Sequence, residues 1–403
     1  MAGTTWMEDS TKDILLVKYS PTGTEEWIRT YDNPDHGDDW PVAMTIDADS
    51  DVWIAGVSKM KNGNSDIVLV EFNPDGVPVV DKRFDGPAHK FDAPTSITTD
   101  RRNNIFVGGY VTTEDSGMNA VVLKYRNDGT FVWSKGYATK QMDIFNDIET
   151  DDSCNVYVTG NSNAGQHTSD IVTIKYDSLG RKKWQYLFDG VFSENDGAIK
   201  LALDDSVNVY VTGFTNHTSE RSDIPILKLN RNGKILQQDM YNGNVSDSYA
   251  TSLNAYKTSV LLTAQFMNYN NGASNTRALN YEKSGKLHGD VKNPEDVVFI
   301  SSQMVSGVHF LFGTKLTHPE STLIPYICEL DSSEKPVLQF ADSMVYGIAH
   351  IIAVEVFRNE VYFLGDDAGD ATGSITTMKY ILPVEARKKK VNSNGPKSGI
   401  QKN

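Results

Sequence analysis

Cysteine and long apolar runs are nearly missing from this chain of 403 residues. Its two cysteines, Cys154 and Cys328, are too few for a disulfide framework and lack the spacing of a metal site. No apolar run approaches the ~20 residues that a membrane helix needs, and no basic and apolar leader opens the chain. We therefore predict a body with no transmembrane segment and no signal peptide in this chain, stabilised by core packing.

Catalytic motifs are also missing. The histidines, among them His36, His89, His167 and His350, do not recur at a common spacing, and there is no H-E-x-x-H, G-x-S-x-G or Walker motif. We therefore predict no catalytic residues. The formal net charge of -15 disfavours nucleic acid as a partner of the main body, because an acidic surface repels phosphate.

The chain is instead dominated by a segment that recurs about every fifty residues, a period typical of propellers and solenoids. The clearest copies read DILLVKY, DIVLVEF, NAVVLKY, DIVTIKY and DIPILKL, and three weaker copies follow in register. The copies occupy residues 13–19, 66–72, 119–125, 170–176, 223–229, 276–281, 324–330 and 374–380. Because each repeat contains several short strands, the repeat predicts a β-propeller.

Each repeat predicts one blade of four antiparallel strands. In the second copy, residues 41–47 and 52–57 form a hairpin, a third strand follows, and a fourth strand ends in Phe84. We therefore predict an all-β propeller of four-stranded blades. Seven blades are favoured, with residues 25–31 completing the sheet of the last repeat, and eight blades with incomplete end blades are the alternative.

The domain boundaries follow from where the repeat stops. We predict one propeller domain over residues 1–383 and a basic, disordered tail over 384–403, which is rich in Lys, Asn, Ser and Gly. The first residues, Met1 to Gly3, align with Ile54 to Gly56 inside the next copy. We therefore expect that the chain starts within a repeat and is truncated at its N-terminus.

The order of elements resembles a known repeat family. A first strand and polar turn precede V-Y-V-T-G, followed by a polar loop, D-x-x-x-x-K-Y, a turn and a tryptophan. This order resembles the bacterial β-propeller repeat known as SBBP over residues 1–383, most strongly in the copies between 13 and 241. Asn280 and Glu329 depart from the pattern at the lysine position. The resemblance implies a propeller in a secreted or cell-envelope bacterial protein, usually without known enzymatic activity.

An acidic residue recurs shortly before or at each first strand. Since first strands line the channel of a propeller, we predict that these residues form a ring at one channel mouth. One interpretation is a site for Ca²⁺ or for a cationic partner. The other, which we favour because it explains the residue in every copy, is that each carboxylate accepts hydrogen bonds from backbone N–H groups. The predicted ring consists of Asp39, Asp92, Asp143, Asp196, Asp247 and Glu295.

Other recurring polar residues receive structural interpretations. Turns such as 47–51 and 151–153 superficially resemble calcium loops, but they lack the glycine and the terminal glutamate, so we interpret them as hairpin turns. We predict no cofactor. Ca²⁺ is the one metal that the sequence suggests, and no residue is assigned as its ligand. The recurring lysines, each beside an aromatic, are interpreted as surface residues that form a solvated face or cover a neighbouring side chain with their stems. The recurring tryptophans are interpreted as core between blades. These sets are Lys18, Lys124, Lys175, Lys228 and Lys379, and Trp27, Trp133 and Trp184.

The sequence thus favours a non-catalytic scaffold or protein-interaction module. We predict a monomeric propeller that binds a partner protein and is secreted or placed in the cell envelope in its full-length form. Irregular loops at 266–275 and 314–322 are candidates for the partner surface. The alternative is a carbohydrate-active lyase or hydrolase at the channel mouth, in which Asp39, Asp92, Asp143 and Asp196 supply acid, base or metal ligands.

Overall fold

The structure is a computed structural model in which the described residues form strands and no helix. It describes residues 2–6, 11–19, 25–61, 63–114, 117–139, 142–163, 168–218, 221–242, 247–268, 273–294, 297–305, 308–316, 323–331, 335–341, 348–357, 360–367, 375–381 and 401–402. Within these ranges no helix is long and apolar enough to cross a membrane.

The strands form one three-stranded sheet followed by seven four-stranded sheets. The N-terminal sheet contains β1 (Ala2–Trp6), β2 (Lys12–Tyr19) and β3 (Glu25–Tyr31). Blade 1 contains β4 (Asp39–Ile46), β5 (Val52–Lys59), β6 (Ser65–Phe72) and β7 (Pro78–Phe84). Blade 2 contains β8 (Ala93–Thr99), β9 (Ile105–Thr113), β10 (Gly117–Tyr125) and β11 (Phe131–Tyr137). Blade 3 contains β12 (Ile144–Thr150), β13 (Val156–Ser162), β14 (Asp170–Tyr176) and β15 (Lys182–Phe188).

The remaining four blades follow the same order. Blade 4 contains β16 (Asp196–Leu203), β17 (Val209–Thr218), β18 (Arg221–Leu229) and β19 (Ile235–Tyr241). Blade 5 contains β20 (Asp247–Ala255), β21 (Ser259–Asn268), β22 (Ala273–Glu282) and β23 (Leu287–Lys292). Blade 6 contains β24 (Val297–Val305), β25 (Val308–Leu316), β26 (Leu323–Leu330) and β27 (Pro336–Ala341). Blade 7 contains β28 (Ile348–Phe357), β29 (Glu360–Asp367), β30 (Ile375–Ile381) and β31 (Gln401–Lys402).

The predicted all-β propeller with seven four-stranded blades is confirmed. The prediction that residues 25–31 complete the last sheet is wrong, because β3 belongs to the N-terminal sheet beside β2, and β31 is the strand beside β30. Pairing β3 with its neighbour in sequence closes a much shorter loop, which costs less chain entropy. Strand β31 comes from the predicted tail, of which residues 384–400 and 403 lie outside the described residues.

Glycine allows the first two strands of a blade to approach closely. A β-bulge interrupts the register between these strands in blade 3, where Phe145 pairs with Gly160, and blade 4 repeats it where Ala198 pairs with Gly213. A Cβ on Gly160 would lie inside van der Waals contact of the Ile144 carbonyl. The recurring glycine at the end of WIAG, FVGG and YVTG is therefore required by backbone packing.

The hydrophobic core lies between adjacent blades. Trp53 and Leu69 of blade 1 pack with Val107 and Leu123 of blade 2 in one cluster. Each following pair of blades in this part of the chain repeats the arrangement. Because both faces of the middle strands are covered, they consist almost entirely of buried residues, as in β6.

The chain divides into two compact units. One comprises Met1–Lys18 with Glu25–Tyr249, and it contains blades 1 to 4. The other comprises Tyr19–Thr24 with Ala250–Asn403. In this second unit, Ala278 and Val291 of blade 5 pack with Phe299 and Leu311 of blade 6, so the interblade core continues there.

Candidate functional site

The predicted acidic ring residues lie at the starts of first strands. Asp39 and Asp196 begin β4 and β16, while Asp92 and Asp143 immediately precede β8 and β12. These four side chains are fully buried. Asp247 begins β20 and is half-buried, and Glu295 lies outside the described residues.

Each buried carboxylate accepts hydrogen bonds from the loop that leads into its strand. Asp39 accepts from the Asn33 backbone N–H at 2.8 Å. Asp92 accepts from the Gly86 N–H at 2.5 Å and from the Thr112 N–H at 2.9 Å. A loop that folds back on a carboxylate needs such an acceptor because its own N–H groups are removed from water.

The same pattern continues in blades 3 to 5. Asp143 accepts from the Thr139 N–H at 2.5 Å and from the Asn163 N–H at 3.2 Å. Asp196 accepts from the Gly190 N–H at 2.5 Å. Ser222 Oγ donates to Asp247. In every described copy, the acidic side chain thus ties a blade-connecting loop or a neighbouring strand to the start of a first strand.

Three of these residues also belong to clusters of carboxylates, which we call the acidic junctions. Each junction joins the first residues of a third strand, the loop after a fourth strand and the start of the next first strand. One carboxylate oxygen from each member lies within 4.8 Å of those of the other two. The junctions are Asp13, Asp32 and Asp39; Asp66, Asp85 and Asp92; and Asp170, Asp189 and Asp196.

Burial and neighbouring charges raise the pKa of the buried carboxylates at the junctions, as two of them show. Burial, and then the charge of Asp85, raises the pKa of Asp66 to about 6. Burial and the charge of Asp189 likewise raise the pKa of Asp170 to about 6. His89 lies 2.5 Å from Asp85, and this hydrogen bond raises the pKa of the imidazole. Chemically, such a cluster can share a proton between carboxylates.

The junction between blades 2 and 3 shows that the carboxylates are not all required. Asn119 replaces the acid of the third strand there, and Ala138 replaces that of the loop, while Asp143 remains. The backbone contact that closes this junction is kept, since the Asp143 N–H donates to the Met118 carbonyl at 2.8 Å. The equivalent bond from Asp92 to Ser65 also measures 2.8 Å.

At the other end, lysine and tryptophan side chains fix the N-terminal sheet and blade 3 to the blade that follows each of them. Lys175 and Trp184 of blade 3 both donate to the Arg231 carbonyl of blade 4, at 3.4 and 3.1 Å. Lys18 and Trp27 of the N-terminal sheet donate in the same way to the Pro74 carbonyl of blade 1, at 2.7 and 3.1 Å. These bonds support the interpretation of the tryptophans as interblade residues.

The interpretation of the recurring lysines as a solvated face is wrong for two of them, which are buried against a neighbouring aromatic ring, in agreement with the second interpretation. Lys124 and Lys175 are only 6% and 9% exposed. Their ammonium groups lie 4.9 Å from the Phe106 ring centre and 4.7 Å from that of Tyr157. Burial lowers the pKa of both lysines. The repeat shows a lysine followed by an aromatic residue. It does not show that the lysine contacts a backbone carbonyl of the next blade.

Large apolar side chains are exposed in three consecutive loops between blades. Phe91 is 40% exposed before blade 2, and Met142 is 50% exposed before blade 3. Val191 and Phe192, before blade 4, are 82% and 52% exposed. The ring of Phe192 lies 4.3 Å from that of His217. We call these four residues the loop face, because the loops from fourth to first strands emerge at one end of the antiparallel blades.

Known structures share the architecture but little sequence. The chain is similar to the β-propeller domain of the Trilobed protease from Pyrococcus furiosus, with 11% identity, a TM-score of 0.51, and coverage of 84% of this chain and 95% of that chain. It is also similar to the polysaccharide lyase Uly1, with 9% identity, a TM-score of 0.55, and coverage of 88% and 91%.

A third similar structure is the WD40 domain of Neurospora crassa Pan2, with 9% identity, a TM-score of 0.50, and coverage of 80% and 85%. No family model and no curated protein matches the sequence. At such low identity, the three structures establish the propeller fold alone, and they comprise a domain of a protease, a polysaccharide lyase and a WD40 domain.

Proposed function

We propose that the protein is a non-catalytic β-propeller module that binds a partner protein through the loop face. The observation that carries the proposal is the exposure of Phe91, Met142, Val191 and Phe192 in loops of the same kind. Large apolar side chains gathered on one face of a soluble protein mark interaction sites, because water contact is unfavourable for them. The recurring acids support the proposal indirectly, since their hydrogen bonds give them a structural role.

The charge around the loop face suggests the chemistry of the partner. Asp189 and Glu194 are exposed in the loop that carries Val191 and Phe192, and Asp85 is exposed in the loop that carries Phe91. A partner with apolar residues surrounded by lysine or arginine would complement this surface. Buried apolar anchors would supply the affinity, and the acidic rim would favour the correct partner.

We further propose that the chain belongs to the SBBP repeat proteins and acts outside the cytoplasm. The support is the repeat itself, with D-x-x-x-x-K-Y at 170–176 and V-Y-V-T-G at 156–160 and 209–213. An exported propeller that presents one apolar face is suited to hold a partner at the cell envelope.

The test compares capture of binding partners by matched variants. Phe91→Ser with Phe192→Ser removes two apolar anchors, whereas Leu179→Ser removes a side chain that is 66% exposed in the turn between third and fourth strands. Tagged proteins are cross-linked in extracts of the source organism, and the captured proteins are identified by mass spectrometry. A basic partner captured by the wild type and Leu179→Ser, but lost with the double variant, is expected.

Two results would contradict the proposal. One is a partner captured equally well by all three proteins, or none captured by the wild type. The other is turnover of a polysaccharide by the wild type that Asp92→Asn abolishes, because that would make an acidic junction a catalytic centre.

A further inference from the structure

The turn between the first and second strands is built in the same way in blades 2, 3 and 4. An aspartate immediately follows the first strand and accepts hydrogen bonds from the backbone N–H groups two and four residues later. The amide of an asparagine four residues later donates to the same carboxylate, as Asn155 does to Asp151 at 2.8 Å. These pairs are Asp100 with Asn104, Asp151 with Asn155, and Asp204 with Asn208.

A lysine from the third strand completes the arrangement. Lys175 pairs across the strands with Tyr157, and its ammonium lies 3.7 Å from Asp151. Lys124 and Lys228 occupy the same register position opposite Phe106 and Tyr210. The buried aspartate of the turn therefore has an amide donor and a cation close by, which offset the cost of removing its charge from water.

Blade 1 keeps the aspartate but replaces both donors with acids. Asp47 accepts the N–H groups of Asp49 and Asp51, both at 3.0 Å, and the indole of Trp53 at 3.2 Å. Asp51 stands where blades 2 to 4 have asparagine. Glu71 stands where they have lysine, and it pairs across the strands with Trp53 as Lys175 does with Tyr157.

Glu71 is the second and independent sign of a missing cation. Its side chain is only 4% exposed, and its Oε2 accepts no hydrogen bond within the described part of the chain. Glu71 pairs with Trp53, whose indole donates to Asp47, so Glu71 lies on the same face of the sheet as the turn aspartate, at the register position that lysine fills in blades 2 to 4.

The geometry of the turn suits one metal ion. Carboxylate oxygens of Asp47, Asp49 and Asp51 lie within 4.8 Å of one another. Two oxygens that bind the same Ca²⁺ at about 2.3–2.6 Å can be at most about 5 Å apart. Asp49 is exposed and Asp51 is half-buried, so water can complete the coordination shell on the solvent side.

We propose that Asp47, Asp49, Asp51 and Glu71 bind a Ca²⁺ ion that takes the place of the repeat's lysine ammonium in blade 1. Three clustered carboxylates with the buried Glu71 near them need a divalent cation to balance their charge, and oxygen ligands favour Ca²⁺ over softer metals. Mg²⁺ fits less well because it demands a near-ideal octahedron and retains most of its water. The site is separate from the loop face, so either proposal can fail without the other.

The test introduces into blade 1 the lysine and the asparagine that blades 2 to 4 carry at these positions. Chelator-treated protein is titrated with CaCl₂ by calorimetry, and the wild type is compared with Glu71→Lys, Asp51→Asn and the control Asp205→Asn. Asp205 is an exposed acid in the equivalent turn of blade 4. We expect saturable binding with a Kd on the order of 10⁻⁴ M, lost in Glu71→Lys, weakened roughly tenfold in Asp51→Asn and unchanged in the control.

Thermal unfolding supplies a second readout. Ca²⁺ should raise the Tm of the wild type but not of Glu71→Lys, and without Ca²⁺ the lysine variant should have the higher Tm. Equal binding by the wild type and both site variants would overturn the proposal, as would no saturable binding by the wild type. Binding of MgCl₂ in preference to CaCl₂ would overturn the choice of ion.

Discussion

The acidic junction of blade 1 should make the protein less stable as pH rises from 4 to 7. Asp66 is 3% exposed, and its pKa is raised from 3.8 to about 6. A carboxyl with a raised pKa favours folding while it is protonated, and this contribution is lost as pH rises through the folded-state value. At about 1.36 kcal/mol per pKa unit, the loss is at most roughly 3 kcal/mol, and relaxation with partial screening reduces it to about 1–2 kcal/mol.

Asp66→Asn removes the charge while keeping the size and an acceptor oxygen. Asn64, which donates to Asp66 at 2.9 Å, can still donate to the new amide oxygen. Asn119 already occupies the equivalent position in blade 2, so the fold accepts the change. We therefore expect the variant to be more stable than the wild type by about 1–2 kcal/mol at pH 7.5, and no more stable at pH 4.

Urea unfolding at the two pH values measures the difference, with Asp75→Asn as the control. Asp75 is an exposed acid in the same blade, and its replacement should change stability by a similar, small amount at both pH values. Destabilisation by Asp66→Asn at pH 7.5, or an equal effect at pH 4 and pH 7.5, would refute the electrostatic reasoning.

Two further substitutions test the packing between strands and blades. Gly160→Ala places a methyl group against the Ile144 carbonyl and should lower the unfolding free energy by about 2–3 kcal/mol, whereas Gly136→Ala, whose Cβ would lie 4.0 Å from the Ala120 carbonyl, should change it by less than about 0.5 kcal/mol. Equal effects in urea unfolding would show that the bulge does not require glycine. Trp184→Phe loses the hydrogen bond to the Arg231 carbonyl and should cost about 1 kcal/mol in thermal unfolding. An unchanged Tm would mean that this bond does not stabilise the contact between blades 3 and 4.

The repeat predicted the architecture because local patterns control each blade. Apolar alternation and turn glycines fix the hairpins, and Gly76, Gly129, Gly180 and Gly233 all adopt positive φ in the turns between third and fourth strands. The pairing of β3 could not be read from the repeat, because the pattern is the same whether a strand pairs with its neighbour or with a distant copy. Residues 269–272 and 317–322, in the loops predicted to bind a partner, lie outside the described residues.

The candidate site was only partly accessible from sequence. The spacing identified Asp39, Asp92, Asp143 and Asp196 but not their junction partners. Asp66 comes from a third strand and Asp85 from the loop after a fourth strand, and both approach Asp92 only in the folded structure. The replacement of the repeat's lysine by Glu71 was visible in the copy DIVLVEF. The consequence of this replacement could not be predicted from sequence. In blade 3, Lys175 and Asp151 are 24 positions apart in sequence, and only folding brings the ammonium within 3.7 Å of the carboxylate.

The most direct test of the central claim is hydrogen–deuterium exchange of the protein with and without its captured partner. The account predicts slower exchange in the loops at 84–93, 137–144 and 188–196, which carry the exposed apolar side chains, and unchanged exchange in the turns between third and fourth strands. Protection confined to those turns, or no protection in any of the three loops, would contradict the claim that this face binds the partner.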